Sequence, residues 1–211
     1  SLMQFEGIYI PVITPFHDDG SVDENGFAEV IEFLIDAGVH GIVVAGTTGE
    51  YYAQTMAERT GLMQTAHQVI NGRVPLMIGV GAIRTEDAIE LAQTAKQVGA
   101  DSLLVNSPPY VLPTESENAA HALAIDKAAD LPIMLYNYPG RTGSNMGEDY
   151  LRQVSTSKNF CAIKESSGDI NRLHLLANDY PNIQLSCGAD DQALEFFVWG
   201  ARSWVCAGGN F

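Results

Sequence analysis

Eight times along its length the chain alternates a short apolar run with a small-residue loop and an amphipathic helical pattern. The runs cover 8–15 (IYIPVITP), 41–46 (GIVVAG), 75–81 (PLMIGVG), 102–108 (SLLVNSP), 132–139 (PIMLYNYP), 160–166 (FCAIKES), 183–189 (IQLSCGA) and 203–209 (SWVCAGG). Strands that alternate with helices imply a parallel sheet, and apolar continuity along each strand means burial on both faces. Eight such units predict a closed (β/α)8 TIM barrel, one domain over residues 1–211. An open doubly wound sheet would carry a Gly-rich phosphate fingerprint after its first strand. Here that strand ends ITPFHDDG. The chain stops shortly after the eighth run, so the barrel is expected to lack its eighth helix and the C-terminal helices, leaving one sector of the outer layer uncovered.

The helical patterns have start and stop signals. In 23–38, Phe27, Val30, Ile31 and Leu34 share a face, with Asp23 as cap and Gly38 as stop; 85–99 opens on Thr85, Glu86 and Asp87 and stops at Gly99. Further patterns occupy about 55–71, 114–130, 147–157, 169–180 and 190–200. The formal net charge of −15 repels nucleic acid and anionic lipid, so neither is an expected partner. No apolar run is long enough to span a membrane and no basic-then-apolar leader opens the chain, so a cytoplasmic protein is expected. Cys161, Cys187 and Cys206 sit in apolar runs without CxxC spacing, as buried free thiols would.

Chemistry in such barrels lies at the C-terminal ends of the strands, and Lys164 falls at one of them. Alternation puts Ala162, Lys164 and Ser166 toward the axis, Cys161 and Ile163 toward the outer helices, and Glu165 away from the lysine. An inward lysine without a counter-ion has a lowered pKa, and a neutral amine is the nucleophile that forms Schiff bases with ketones. A strand-end lysine can also snorkel to water, so its position alone leaves both readings open. Tyr136 ends the fifth strand, where a phenol can pass protons to and from a carbinolamine or enamine. GTTGE (46–50) offers the Thr47 and Thr48 hydroxyls and free amides, or simply a helix cap. Arg141, in the loop after strand five, can grip a carboxylate with both arms.

GTTGE, YNYPGRTG and IKESSGD, in this order and spacing, resemble the dihydrodipicolinate synthase / N-acetylneuraminate lyase family of class I pyruvate aldolases, most closely its dihydrodipicolinate synthase branch. The likeness runs from the TPF near position 14 to the GGN at 208–210. It implies that Lys164 forms a Schiff base with pyruvate or another 2-oxo acid. Tyr136 would be the general acid/base, Thr47 its proton relay, and Thr48 the carboxylate site. Tyr110 would complete the relay across a dimer interface, within a homodimer or homotetramer. Gly188 and Val205 would line the pocket floor. The arginine at 141 favours a carboxylated acceptor such as aspartate semialdehyde, with no cofactor. The positions matching a lysine-feedback pocket, Met56, Arg59, Ile83 and Pro109, are poor ligands for an amino acid. Alternatives within the family are a 2-keto-3-deoxy sugar acid aldolase or dehydratase and an N-acetylneuraminate lyase-like enzyme. Outside it stands a catalytically silent 2-oxo acid sensor.

The five histidines show no ligand spacing, so no metal site is expected. Asp190 and Asp191 open a helix after strand seven, where they suit the helix dipole as a cap or act as neighbours of the site.

Overall fold

Strand β1 (Gly7–Pro11) pairs in parallel with β2 (Gly41–Val44) on one side and with β8 (Ser203–Val205) on the other, and this last pairing closes the barrel. The computed structural model describes residues 2–211. Between these strands run β3 (Leu76–Gly79), β4 (Ser102–Asn106), β5 (Ile133–Asn137), β6 (Phe160–Glu165) and β7 (Gln184–Cys187), each bonded to its neighbours in chain order. The surrounding helices are α1 (Glu24–Asp36), α2 (Met56–Ile70), α3 (Thr85–Val98), α4 (Glu115–Ala129), α5 (Pro139–Thr142), α6 (Glu148–Val154), α7 (Ile170–Asp179) and α8 (Ala193–Val198). After β8 comes only a 3-10 turn, Ala207–Asn210, and α8 presents Leu194 and Val198 to solvent. Among the described residues no helix is long and apolar enough to cross a membrane.

Local chemistry accounts for the helix ends. Thr55 and Thr114 each form a capping box, with Glu58 and Glu117, satisfying amides that would otherwise be orphaned at the helix start. Asp23 caps α1 by accepting from the Gly26 amide, as expected. Helix α3 opens on Thr85 with Glu86 and Asp87 in its first turn and stops at Gly99, as expected, but no side chain caps its start. The cap residue is Arg84, and the Thr85 hydroxyl contacts His121 Nδ1 at 2.9 Å. Helix α8 differs from expectation. Neither Asp190 nor Asp191 caps it; they belong to a 3-10 turn, and Asp190 Oδ1 accepts from Trp204 Nε1 at 2.9 Å. Strand β8 brings the indole within reach, and that pairing displaces the capping role.

Two apolar layers result. The outer one packs strand residues such as Ile42, Ile78, Leu103, Leu135 and Ile163 against Phe27, Ile31, Leu62, Leu91 and Leu173 of the helices. Each such buried aliphatic side chain contributes about 1.5–3 kcal/mol. The inner one fills the barrel with Phe5, Tyr9, Val43, Met77, Leu104, Met134, Ala162 and Val205. Gly41 is required here, because a Cβ at that position would collide with the Tyr9 ring. Cys161 belongs to the inner layer, not the outer one that strict alternation implies. The ladder explains it: Ile133 pairs with Phe160 and Met134 with Ala162, so Cys161 is an extra residue and β6 bulges. One inserted residue resets the alternation, and Ala162 and Lys164 still face the axis. All three cysteines are free; Cys206 lies just past β8 and is only partly buried.

Candidate active site

At the C-terminal end of the barrel one rung runs across three strands. Tyr136 of β5 pairs with Lys164 of β6, which pairs with Ser186 of β7. All three face the axis, as the alternation from Met134 and Ala162 requires. Lys164 Nζ stands 4.0 Å from the centre of the Tyr136 ring, and the residue is only 8% exposed. Burial pulls the amine down from 10.5 to about 8, with the Asp190 charge opposing the shift. The adjacent Glu165 does turn away: its carboxylate faces Arg172 on the outer side. Burial pushes the Tyr136 phenol up to about 12, partly offset by the Thr47 hydroxyl and the Arg141 charge. The phenol therefore keeps its proton at neutral pH.

The loop after β2 carries the two threonines. Ala45 and Glu50 adopt left-handed backbone on either side of them. Thr14 Oγ1 and Gln54 Nε2 both donate to the Gly49 carbonyl, at 2.7 and 2.8 Å, and pin the turn. Among the described residues no protein oxygen accepts from the Thr47 or Thr48 amide. Sequence reasoning singled out neither Thr14 nor Gln54; only the TPF run hinted at Thr14.

A cavity of about 270 Å³ opens above this rung, lined by Thr47, Tyr51, Asn106, Tyr136, Tyr138 and Arg141 among others. Arg141 sits in the single-turn α5, started by Pro139. Its guanidinium lies 5.9 Å from the centre of the Tyr138 ring, and among the described residues no carboxylate pairs with it. Gly188 presses on the lysine stem from β7's end. A Cβ there would collide with Ser166 Oγ and lie 2.8 Å from Lys164 Cγ. Val205 is buried in the inner layer below. The cavity thus takes in Thr47, Tyr136 and Arg141; Lys164 lies behind the Tyr136 ring with Gly188 against its stem, and neither these two nor Val205 lines the cavity itself.

This arrangement coincides with a match to a family model described as the dihydrodipicolinate synthetase family, over residues 4–211. The chain belongs to that family. Its members are class I aldolases and lyases, so the scaffold is that of an enzyme. A 4-hydroxy-tetrahydrodipicolinate synthase of Protochlamydia amoebophila is 35% identical over 99% of this chain and 71% of the relative. A probable 2-dehydro-3-deoxy-D-pentonate aldolase of Escherichia coli is 34% identical over 100% of this chain and 71% of the relative. The structure of dihydrodipicolinate synthase from Acinetobacter baumannii complexed with pyruvate superposes with a TM-score of 0.93 at 34% identity, covering 98% of this chain and 72% of that one. The chain spans about 70% of the length of these family members.

Of the residues that the resemblance implies, Tyr110 stands on the surface. It is 87% exposed, with a positive φ of 76°, and does not line the cavity. Tyr52, Ile83, Val111 and Leu112 are exposed apolar residues of the loops after β2, β3 and β4 as well. Of the positions matched to a feedback pocket, Arg59 is buried and donates to the Gly79 and Gly81 carbonyls, with its guanidinium 4.9 Å from the Tyr51 ring centre. Pro109 lines the cavity. Among the described residues, no three His, Cys, Asp or Glu side chains converge as a metal site requires.

Proposed function

We propose that the protein is a Schiff-base-forming lyase of the 4-hydroxy-tetrahydrodipicolinate synthase type, joining pyruvate to a carboxylated aldehyde such as aspartate semialdehyde. The observation that carries this reading is the buried Lys164 amine beside the Tyr136 ring, with a pKa lowered to about 8. A fraction of roughly a tenth is neutral at pH 7, against less than a thousandth for an ordinary lysine. The neutral amine attacks the ketone carbon, and Tyr136 protonates the oxygen and later takes protons back. Thr47 relays them. The amide and hydroxyl of Thr48 hold the 2-oxo acid carboxylate, and Gly188 and Val205 shape the floor beneath it. Arg141 holds the carboxylate of the acceptor at the cavity rim.

Tyr110 then acts in the site of a second copy. Its exposure among apolar loop residues suits a homodimer interface, within a dimer or tetramer, and sedimentation at assay concentration should give a species of at least two chains. The net charge of −15 disfavours nucleic acid and anionic membrane as partners. The three free cysteines suit the reducing cytoplasm.

The aldolase relative favours a second reading, cleavage of 2-keto-3-deoxy sugar acids through the same lysine. A turnover screen separates the two. Condensation of pyruvate with aspartate semialdehyde, with little cleavage of 2-keto-3-deoxy acids, supports the synthase; the reverse preference replaces it with the aldolase.

A further inference from the structure

The residues that immediately follow the two reacting groups form a cluster of their own on the outer side of the barrel. Asn137 follows Tyr136, Glu165 follows Lys164, and the two are register partners one step beyond the Tyr136–Lys164 rung. The Glu165 carboxylate accepts from Arg172 Nε at 2.9 Å, from Asn137 Nδ2 at 2.9 and 3.2 Å, and from the Ser167 amide at 3.2 Å. Asn137 also donates to Asn145 Oδ1 at 2.9 Å and accepts from the Met146 amide at 3.0 Å. The side chains of Arg172 and Glu165 are 6% and 2% exposed. The Glu165 carboxylate therefore ties two strand ends, the loop after β6 and α7 together, and Asn137 adds the loop before α6.

We infer that Glu165, through Asn137 and Arg172, is a positioning residue that holds Lys164 against Tyr136. The reason is geometric. In a pleated ladder the inward direction of one residue is set by the outward anchoring of the next. Both reacting side chains are followed directly by a member of the cluster. A buried ion pair is a poor source of net stability, since desolvation cancels most of its attraction. It does impose one geometry, because Glu165 has three donors to satisfy from three different segments. The Glu165 backbone contributes as well: its carbonyl accepts from the Gly188 amide at 3.3 Å, setting the residue that presses on the lysine stem.

This rests on the Schiff-base reading, and the test separates the two. Wild type, Glu165→Gln and Asn137→Ser are compared well below their melting temperatures for kcat, pyruvate KM and the rate of borohydride trapping with pyruvate. A wild type that is never trapped at Lys164 refutes the Schiff-base reading, and the inference falls with it. With trapping present in the wild type, folded Glu165→Gln should show kcat and trapping rate reduced tenfold or more, since small misplacements of a reacting group cost up to about a hundredfold. Pyruvate KM should stay within about threefold, because the Thr47–Thr48 loop is not part of the cluster. A purely structural role would lower the melting temperature and leave kcat per folded molecule unchanged, and that result overturns the inference. If Glu165→Gln does not fold, Asn137→Ser, which leaves the ion pair, carries the test with the same expected and contrary results.

Discussion

Lys164 and Tyr136 occupy the same rung of the barrel: they are register partners across β6 and β5, and the amine stands 4.0 Å from the centre of the phenol ring. Burial moves their pKa values in opposite directions, the amine down to about 8 and the phenol up to about 12. Each is thereby kept closer to its neutral form. A neutral amine attacks and a protonated phenol donates, so one apolar environment prepares both partners for carbonyl chemistry.

Tyr136→Phe removes the proton donor while keeping the ring that covers Lys164. Turnover should fall by roughly 10²–10⁴-fold, the range for a lost acid/base group, with the melting temperature nearly unchanged. Steady-state kinetics checks it; a loss of less than a few-fold would assign proton transfer to another group.

The lysine also leaves a mark on stability. Its unfolded pKa is 10.5 and its folded value about 8, so between these pH values the unfolded chain binds the extra proton. Stability then rises with pH across that window, and below about pH 8 the lysine is a net burden of up to about 3 kcal/mol. Lys164→Met, similar in shape and uncharged, should therefore be more stable than wild type at pH 7. Its advantage should shrink as pH climbs toward 10.5. Urea melts at several pH values measure this, and a pH-independent difference would contradict the buried, destabilised amine.

Gly188→Ala tests how closely the backbone approaches the site. The new methyl would collide with Ser166 Oγ and crowd Lys164 Cγ. Either β7's end or the lysine stem must shift, so activity should fall at least tenfold while most of the fold survives. Wild-type kinetics in this variant would show that the approach is looser than described.

Arg141→Ala should leave Schiff-base formation with pyruvate nearly intact and weaken use of a carboxylated aldehyde by about 1.5–3 kcal/mol, the size of a charge-assisted hydrogen bond. Comparing kcat/KM for aspartate semialdehyde with that for an uncarboxylated aldehyde isolates the effect. Equal losses on both would mean that Arg141 does not read the acceptor's carboxylate.

Much of this was legible in the residues because it depends on local rules. Eight apolar runs, helix caps such as Asp23 and the stop at Gly99 are set by near neighbours, and the barrel follows from their alternation. Lys164 and Tyr136 could be placed on the axis by counting along a strand. Cys161 could not, because the bulge that turns it inward arises from pairing between β5 and β6. Asp190 looked like a helix cap until β8 brought Trp204 to it. Thr14, which pins the threonine loop, lies 35 residues before Gly49 and meets it only once β1 and β2 pair, while Gln54 is brought back by the short 3-10 turn that follows the loop. Tyr110 stands exposed in the loop after β4, and the role proposed for it depends on a second copy rather than on contacts within one chain.

The most direct test is reductive trapping. Wild-type protein is incubated with pyruvate and borohydride, digested and mapped by mass spectrometry, with Lys164→Ala as control. The account predicts one pyruvate-derived adduct, on Lys164 alone, forming faster as pH rises toward 8, and none in the folded Lys164→Ala variant. An unmodified Lys164 at saturating pyruvate, or an adduct that moves unchanged to Lys96, Lys127 or Lys158, would contradict it.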